Sequence, residues 1–532
     1  MTYKVCDGLT EALIYFSVIF TPWAFGTTQA WSIWTMNITC YILGGLLGAK
    51  WIIRRLTSFE PSRWGEVRDV EDFRIEDSGQ RAVRWLTISL AALTVVILAY
   101  SLTGALNARA TWYPLENRFD YHDFLPWLPH SYDRAGTWNG FWQYLGLALF
   151  FWSARDWLLG KAAKERRRSS GENRTRNEDV DPVQRDSREP EGPFGVFELA
   201  GAPHTPPAST RPRSPALALP TRLRRLLWVL CINGALLALE GTLQRLDGTD
   251  KLLWLVVPRF NTTDESQFGP YANRSNGAQY LNLVWPVCLG FWLVLRKASI
   301  RTPRGEARIG QGSYMVLFPC AVIMASAPII STSRGGALIT LAALPVASAI
   351  VFFAARRERA LVRAGMLSLF VIILGFSVYL GWKHLAERLE NMFVDNLSNR
   401  TEIYRNSRGI AQQFPVFGTG ADSFAAIYQL YKEPNQTWEA YLHDDWLELR
   451  VTFGRVGFGM ILIMLVLALV RWFVPGGIPG PWDLVSLIWL AMAGCLLHAK
   501  FDFPFRIYSI QWLFLLLSCV LFCLSRRGAV RE

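Results

Sequence analysis

Long apolar segments constrain the fold of this chain more than any other feature. Blocks such as ALIYFSVIFTPWAFG, WLTISLAALTVVILAYSLTGAL and LSLFVIILGFSVYLGW approach the length of about 20 residues that a helix needs to cross a bilayer. The chain has 532 residues and is 51% hydrophobic but only 18% charged. A soluble protein carries about a quarter charged residues. The sequence therefore predicts an all-α, polytopic membrane protein.

The spacing of the apolar segments predicts about twelve membrane-spanning helices, with a large helical loop between the ninth and the tenth. No small-residue cleavage site accompanies the first segment, which follows a short polar stretch, so we expect a retained helix rather than a signal peptide. The predicted spans are centred near Phe20, Tyr41, Thr94, Leu147, Ile232, Val287, Ile323, Leu344, Val371, Met464, Ile488 and Leu515.

Lysine and arginine collect in alternate connections, and this pattern predicts the orientation. The basic connections contain Lys50, Arg54 and Arg55; Lys161, Lys164 and Arg166 to Arg168; Arg296, Lys297, Arg301 and Arg304; Arg356, Arg357 and Arg359; and Arg526 and Arg527. Because cytoplasmic loops carry an excess of these residues, we expect both termini in the cytoplasm. The net charge of +12 then reflects topology and attraction to anionic lipids rather than nucleic-acid binding.

Two long polar segments divide the chain into five predicted regions. These are 1–160, transmembrane helices 1–4; 161–222, a disordered cytoplasmic linker; 223–382, helices 5–9; 383–447, a helical periplasmic loop; and 448–532, helices 10–12. The linker is rich in Arg, Glu, Pro and Ser and poor in large apolar residues, a composition typical of disorder.

The periplasmic loop contains the signals of a folded unit. Asn399 and Glu402 have the spacing of a helix start, and Pro415 is expected to end that helix. The apolar positions that fall on one face of the helix are Ile403, Ile410 and Phe414. Gly418 and Gly420 predict a turn, and SFAAIYQLY predicts a second helix. We therefore expect a platform or lid that packs on the membrane helices.

The remaining unusual polar residues lie near helix ends on the predicted periplasmic side. They are Asn273 and Arg274, Arg334, the run His443, Asp444 and Asp445, and the pair Asp502 and Arg506, with Arg400 in the large loop. An arginine in a tight hairpin between spans is costly unless it is paired or hydrated, so function is favoured for Arg334 over simple snorkelling. A structural ion pair that closes the last hairpin is favoured for Asp502 and Arg506. Asp444 and Asp445 are also explained as charges at a helix start.

Six segments together resemble the O-antigen ligase and polymerase family. YLHDDWLELRVTFGRVG resembles the family's His-Asn-Asp-x-Leu pattern with its closing Gly-x-x-Gly, and STSRGGAL resembles its Ser-Arg-Gly segment. FGPYANRSNGAQYL, NRTEIYRNSRGIAQQFPVFGTGADSF, HAKFDFPFRIYSIQWLF and FTPWAFGTTQAW are similar to further family segments. Asp444 stands where asparagine is usual, Thr452 where glutamate is common and Asn276 where histidine is common. These departures leave the donor and the acceptor open.

The resemblance implies a glycosyltransferase that moves a glycan from undecaprenyl pyrophosphate to a membrane-anchored acceptor such as the lipid A-core. His443 is then the base that deprotonates the acceptor hydroxyl, while Arg274 and Arg334 bind the pyrophosphate through the planar arginine fork. The supporting residues are Asn273, Asp444, Asp445, Arg400, Asp502 and Arg506, and either Asp444 or Asp445 is expected to orient the imidazole. We expect an inverting displacement without a metal or other cofactor, because the donor already stores the energy of its pyrophosphate bond.

Several alternatives to an O-antigen ligase stay open. A polysaccharide polymerase and a protein oligosaccharyltransferase use the same donor, and the ligase is preferred because the His-Asp-Asp run closes a large, late loop. A transporter is disfavoured, since the ionisable residues cluster at one face and no charged pair or broken helix is evident at mid-span. The eight cysteines show no CxxC spacing and favour packing over disulfides or zinc binding.

Overall fold

The computed structural model describes residues 2–64, 77–162, 165, 219–300, 313–354, 397–433, 441–475 and 478–526, with four isolated positions between 368 and 379. Its long helices are α1 Thr2–Trp23, α2 Ala30–Thr57, α3 Asp77–Leu106, α4 Arg134–Leu159, α5 Thr221–Asp247, α6 Arg274–Ile300, α7 Leu317–Ile330, α8 Arg334–Ala354, α9 Leu397–Gln413, α11 Asp445–Val470, α12 Trp482–His498 and α13 Tyr508–Cys523. The short helix α10 spans Phe424–Ile427, and the strands are β1 Ala110–Tyr113, β2 Arg118–Tyr121, β3 Ile478–Pro479 and β4 Leu524–Ser525.

The prediction of an all-α, polytopic membrane protein is confirmed. Eight of the described helices are long and apolar enough to cross a membrane, and α12 and α13 are shorter apolar helices. A helix occurs at eleven of the twelve predicted spans, although α4 is outside the set of eight. The span predicted near Val371 lies, apart from isolated positions, outside the described residues, as do most of the predicted linker and the start of the predicted periplasmic loop.

The first helix begins earlier than the sequence predicts. A short, largely polar stretch is expected before the first span, yet α1 starts at Thr2, so its centre lies well before Phe20. The reason is an ion-pair network at this end of the helices. Asp7 pairs with Lys50, at 3.6 Å, and with Arg222. The same Lys50 lies 2.8 Å from Asp156 of α4. Cations of α2 and α5 therefore neutralise Asp7 near the start of α1.

Helix α6 is the centre of the fold. Within its apolar window 94% of the residues are buried, against 11% for α3. It packs against α5, α7, α8, α12 and α13. All eight cysteines are buried and free, as packing residues would be. The start of α6, at Arg274, is therefore held rigidly at one end of the helix bundle, which we call the site end.

The polar unit at the site end contains the two helices that the sequence predicts, although α9 begins at Leu397 and not at Asn399. Helix α9 ends at Gln413, two residues before Pro415, and Gly418 and Gly420 adopt left-handed φ angles of 71° and 105°. Its apolar face joins α10 and α11 in one small core. The buried members of that core are Tyr132, Ile403, Ile410, Ala411, Phe424, Ile427, Tyr428, Leu442, Leu447 and Val451.

Helix α11 is interrupted at Gly454, just before the apolar run that begins at Val456. Gly454 has φ 60° and ψ −165°, and the turn after α9 enters the gap. The backbone N–H groups of Thr419 and Gly420 donate to carbonyls of Val451 and Thr452 at 2.9 and 3.0 Å. A Cβ on Gly454 would lie 2.3 Å from the Val416 carbonyl oxygen. The interruption is thus filled by protein backbone, which attaches the polar unit to the membrane helices.

Candidate functional site

The site is organised around Asp502, in the turn between α12 and α13. Its Oδ1 lies 3.3 Å from Nδ1 of His443. Its Oδ2 accepts hydrogen bonds from the Gln279 amide, at 3.0 Å, and from the Ser275 hydroxyl, both on the first turns of α6. One buried carboxylate therefore joins three segments that are distant in sequence.

His443 is held by its backbone as well as by its ring. It adopts a left-handed φ of 57° immediately before α11, and Tyr404 of α9 donates a hydrogen bond to its carbonyl oxygen at 3.0 Å. The ring of Phe503 meets the imidazole nearly edge-on, with 4.7 Å between centroids. The His443 side chain stays 20% exposed, so a substrate can reach it.

His498, the last residue of α12, lies on the other side of Asp502. Its Nε2 is 3.8 Å from Oδ2 of Asp502 and 3.2 Å from the Gln279 amide nitrogen. A Cβ on Gly335 would approach this nitrogen to 2.4 Å, so only glycine allows α8 to pack here. The contact places the start of α8, and hence the backbone of Arg334, against the Asp502 group.

The two predicted phosphate-binding arginines open neighbouring helices. Arg274 is the first residue of α6 and its guanidinium donates to the Glu265 carbonyl oxygen, and Arg334 is the first residue of α8. Arg245 of α5 links the segment before α6 to the segment before α8. Its guanidinium donates to the carbonyl oxygens of Gln267 and Ser331, each at 3.0 Å. The side chains of Arg274 and Arg334 are partly exposed at the site end.

Asn273 has a local structural role at the same helix start. Its side-chain oxygen accepts a hydrogen bond from the backbone N–H of Ser275 at 2.9 Å. This bond satisfies a donor that the first turn of a helix leaves unpaired. Asn273 therefore orients the start of α6, including Arg274 and Ser275.

The surroundings of Asp502 keep it ionised. Burial alone would raise the pKa of its carboxyl, but the hydrogen bond with His443 and the nearby His498 imidazole outweigh that effect and lower the pKa to about 2. A permanent carboxylate at Nδ1 favours the tautomer with a proton on that nitrogen, so that Nε2 carries the lone pair. The pair is thereby prepared to accept a proton from a bound hydroxyl.

The two aspartates after His443 do not orient its ring. Asp444 is the N-cap of α11, where its Oδ1 accepts from the Leu447 backbone N–H at 3.1 Å and its Oδ2 pairs with Lys500. Asp445 is buried and accepts from the Phe505 backbone N–H at 2.8 Å. The carboxylate that contacts the imidazole is therefore Asp502, although Asp444 is a helix-start charge as expected.

The predicted ion pair between Asp502 and Arg506 is wrong. Arg506 instead binds Asp422 and the buried Glu448, a group that we call the Arg506 cluster. Burial opposes the charge of Arg506, yet the two carboxylates hold its pKa well above the ordinary value. The turn between α12 and α13 points these two residues to different partners. Arg400, the remaining predicted residue, donates to the Phe501 carbonyl oxygen at 3.2 Å and so contacts the same turn.

Ser275, Gln279 and His498 are site residues that the sequence analysis missed. Two helical spacings could have found them. Ser275 and Gln279 are four residues apart, which puts both on one face of a helix directly after Arg274. His498 and Asp502 are also four apart, and they follow the span centred near Ile488.

An apolar cleft of about 300 Å³ adjoins the site. It lies between α3, α4, α11 and α13, and its lining includes Leu98, Trp152, Leu465 and Phe514. Asp445, one residue after Asp444, also contributes to the lining. The polar site is therefore next to a space whose chemistry suits a hydrocarbon chain.

Comparison with protein families matches residues 319–462 to the family described as O-antigen ligase. The matched segment includes Arg334 and His443 but not Arg274 or Asp502. The resemblance to that family is thus confirmed over this part of the chain, and it supports a ligase- or polymerase-type membrane glycosyltransferase. A search of curated proteins finds no match to the chain.

Proposed function

We propose, from the O-antigen ligase domain at residues 319–462 and the geometry around Asp502, that this protein transfers a glycan from a polyprenyl diphosphate to a membrane-anchored acceptor. The transfer takes place at the site end of the helices, which faces the periplasm of a bacterial inner membrane. The acceptor of the ligase reaction is a lipid-anchored saccharide such as the lipid A-core.

One observation carries the proposal: Asp502 joins His443 to the start of α6, which carries Arg274, and through His498 to the start of α8, which carries Arg334. A proton acceptor and two permanent cations are the groups that glycosyl transfer from a diphosphate requires. His443 Nε2 takes the proton of the acceptor hydroxyl as its oxygen attacks the anomeric carbon. The bond from that carbon to the diphosphate oxygen breaks, and the anomeric configuration inverts.

The leaving diphosphate gains charge in the transition state, and the two arginines stabilise it. Guanidinium groups stay protonated at any working pH and match phosphate oxygens with two parallel hydrogen bonds. Their fixed positions at helix starts mean that little reorganisation accompanies the reaction. The polyprenyl tail stays in the lipid phase, and the apolar cleft next to Asp445 supports a substrate of this type.

A transfer assay with purified components tests the proposal. The donor is a polyprenyl diphosphate glycan, and the acceptor is a lipid-anchored saccharide in the same detergent micelles. We expect His443→Ala to slow transfer by about a thousandfold, the range of a general base, with an unchanged melting temperature. The matched control is His122→Ala, which removes a histidine next to β2. Its Nε2 lies 2.8 Å from the Thr111 hydroxyl oxygen. Wild-type rates in His443→Ala would exclude the mechanism.

The lipid-linked glycans of cells without the protein separate a ligase from its rivals. Loss of a ligase leaves full-length polymer on the lipid carrier, whereas loss of a polymerase leaves single repeat units. Loss of a transporter changes solute uptake and leaves the glycans as they were. We expect accumulated polymer, and single units or unchanged glycans would contradict the ligase assignment.

A further inference from the structure

A second, polar pocket lies beside the candidate site, and the mechanism above does not use it. Its volume is about 360 Å³, and it is formed by α9, the start of α11 and the turn before Asp502. Arg408, Asp444, Trp446, Arg450 and Lys500 line it. Asp444 follows His443 directly in the chain and Lys500 lies two residues before Asp502, so the pocket borders the segments that carry both residues, although His443 itself does not line it.

The charge of this pocket is strongly positive. Its single carboxylate, Asp444, is already engaged by the Leu447 backbone N–H and by Lys500. Arg408 and Arg450 are both exposed, and no carboxylate of the described residues pairs with either of them. Two guanidinium groups that face one cavity repel each other unless an anion lies between them. The pocket is therefore built to accept an anionic group.

The remaining wall is apolar and fixed in place. The indole N–H of Trp446 donates to the Leu496 carbonyl oxygen at 3.0 Å, which sets the orientation of the ring. Phe458 lies edge-on to Trp446 with 6.3 Å between centroids. A flat aromatic wall beside two arginines suits a ring-shaped ligand that carries a charge, since such pockets combine apolar walls with a few polar groups. A phosphorylated or carboxylated sugar has both features.

The pocket is distinct from the diphosphate site. Neither Arg274 nor Arg334 lines it. The hydroxyl that reacts must lie at the imidazole of His443, so the saccharide that surrounds that hydroxyl must occupy the space next to His443. That saccharide belongs to the acceptor, and the donor diphosphate belongs to the two arginines.

We propose that this pocket binds a phosphate or carboxylate on the acceptor saccharide and thereby positions the acceptor hydroxyl at His443. The inference rests on the proposed function for the identity of the ligand as the acceptor. The anion-binding property itself rests only on the pocket. An acceptor without an anionic substituent would bind weakly, so the pocket also determines which acceptors are used.

Binding of a soluble probe tests the pocket without any transfer. The probe is glucose 6-phosphate, observed by saturation-transfer NMR with the full chain in phosphatidylcholine nanodiscs, and neutral glucose is the comparison. We expect the phosphorylated sugar to bind, to be released by added salt, and to be preferred over glucose. Arg408→Gln with Arg450→Gln should weaken binding at least tenfold, and Arg450→Gln alone should weaken it less. The matched control, Arg405→Gln, removes an exposed arginine of α9 that does not line the pocket.

Three results would overturn the proposal. Equal binding of glucose would show that the charge is not recognised, and unchanged binding by the double variant would exclude the two arginines. Loss of probe binding when phosphatidylglycerol is added to the nanodiscs would identify a lipid headgroup site instead.

The His443→Ala variant separates this proposal from the proposed function. We expect it to bind the probe as the wild type does while transfer is lost. Continued transfer in that variant would exclude the proposed base without changing the result for the pocket. If His443→Ala loses transfer as expected but the wild type does not bind the probe, the anion-binding pocket is excluded and the proposed base is not.

Discussion

Two clusters of charged residues meet at the turn between α12 and α13, and they differ in how their charges are balanced. In the Arg506 cluster one guanidinium pairs with two carboxylates, Asp422 and Glu448, so its charge is fully engaged by the protein. In the Asp502 cluster one carboxylate contacts two imidazoles, and the neighbouring helix starts add two arginines. A guanidinium that is engaged by carboxylates of the same fold stabilises that fold, whereas a partly exposed base beside two helix-start arginines provides groups that can bind and transform an anionic substrate.

The comparison predicts opposite results for arginine removal in the two clusters. Arg506→Met leaves Glu448, which is only 2% exposed, as a buried charge without its partner. Loss of one partner from a buried pair costs on the order of 3 to 5 kcal/mol, so the variant should lose yield and melt at a much lower temperature. Arg274→Met should melt like the wild type but transfer at least a hundredfold more slowly. A stable, active Arg506→Met protein would contradict the structural role assigned to the Arg506 cluster.

A subtler substitution tests what Arg334 contributes. Arg334→Lys keeps the positive charge but loses the planar fork that binds two phosphate oxygens together. We expect transfer to fall by about a hundredfold in a steady-state assay, with little change in melting temperature. Arg405→Lys is the matched control on an exposed arginine. Wild-type rates with lysine at position 334 would assign Arg334 an anchoring role at the membrane interface.

The pKa of Asp502 predicts how the stability of its cluster changes with pH. The folded state lowers the pKa of this carboxyl from 3.8 to about 2. The ionised group therefore stabilises the fold at a pH above its ordinary pKa, and this stabilisation is lost as the pH falls through about 2. The shift corresponds to about 2 kcal/mol. The stability difference between wild type and Asp502→Asn should therefore shrink between pH 5 and pH 2, as measured by thermal unfolding. A constant difference would contradict the ionised carboxylate.

The sequence predicted the helices well because apolar segments of membrane length have few other solutions. The cost of polar groups near membrane helices also made Arg274, Arg334 and His443 candidates, and their roles, which the family resemblance implies, stay predictions. The sequence did not predict which of the charged side chains pair with each other. Asp502 and Arg506 are four residues apart in the sequence, but the short helical turn at 504–506 separates them. Their partners, His443 and Asp422, lie about 60 to 80 residues earlier in the chain.

The break in α11 shows a second limit. Gly454 lies between Phe453 and Arg455, and its left-handed φ of 60° depends on the turn after α9 that enters the gap. Local sequence around Gly454 does not reveal that turn, because its residues lie more than 30 positions earlier. The same holds for Gly335, whose need to be glycine comes from contact with His498 across the fold.

The account depends on His443 and Asp502 acting as one unit, and a double-mutant cycle measures this directly. Transfer rates are compared for His443→Ala, Asp502→Ala and the variant with both changes. If Asp502 acts through the imidazole, the double variant should be no slower than His443→Ala alone, about a thousandfold below wild type. Losses that multiply, so that the double variant is slower by the product of the two single effects, would show that the residues act independently and would contradict the central claim.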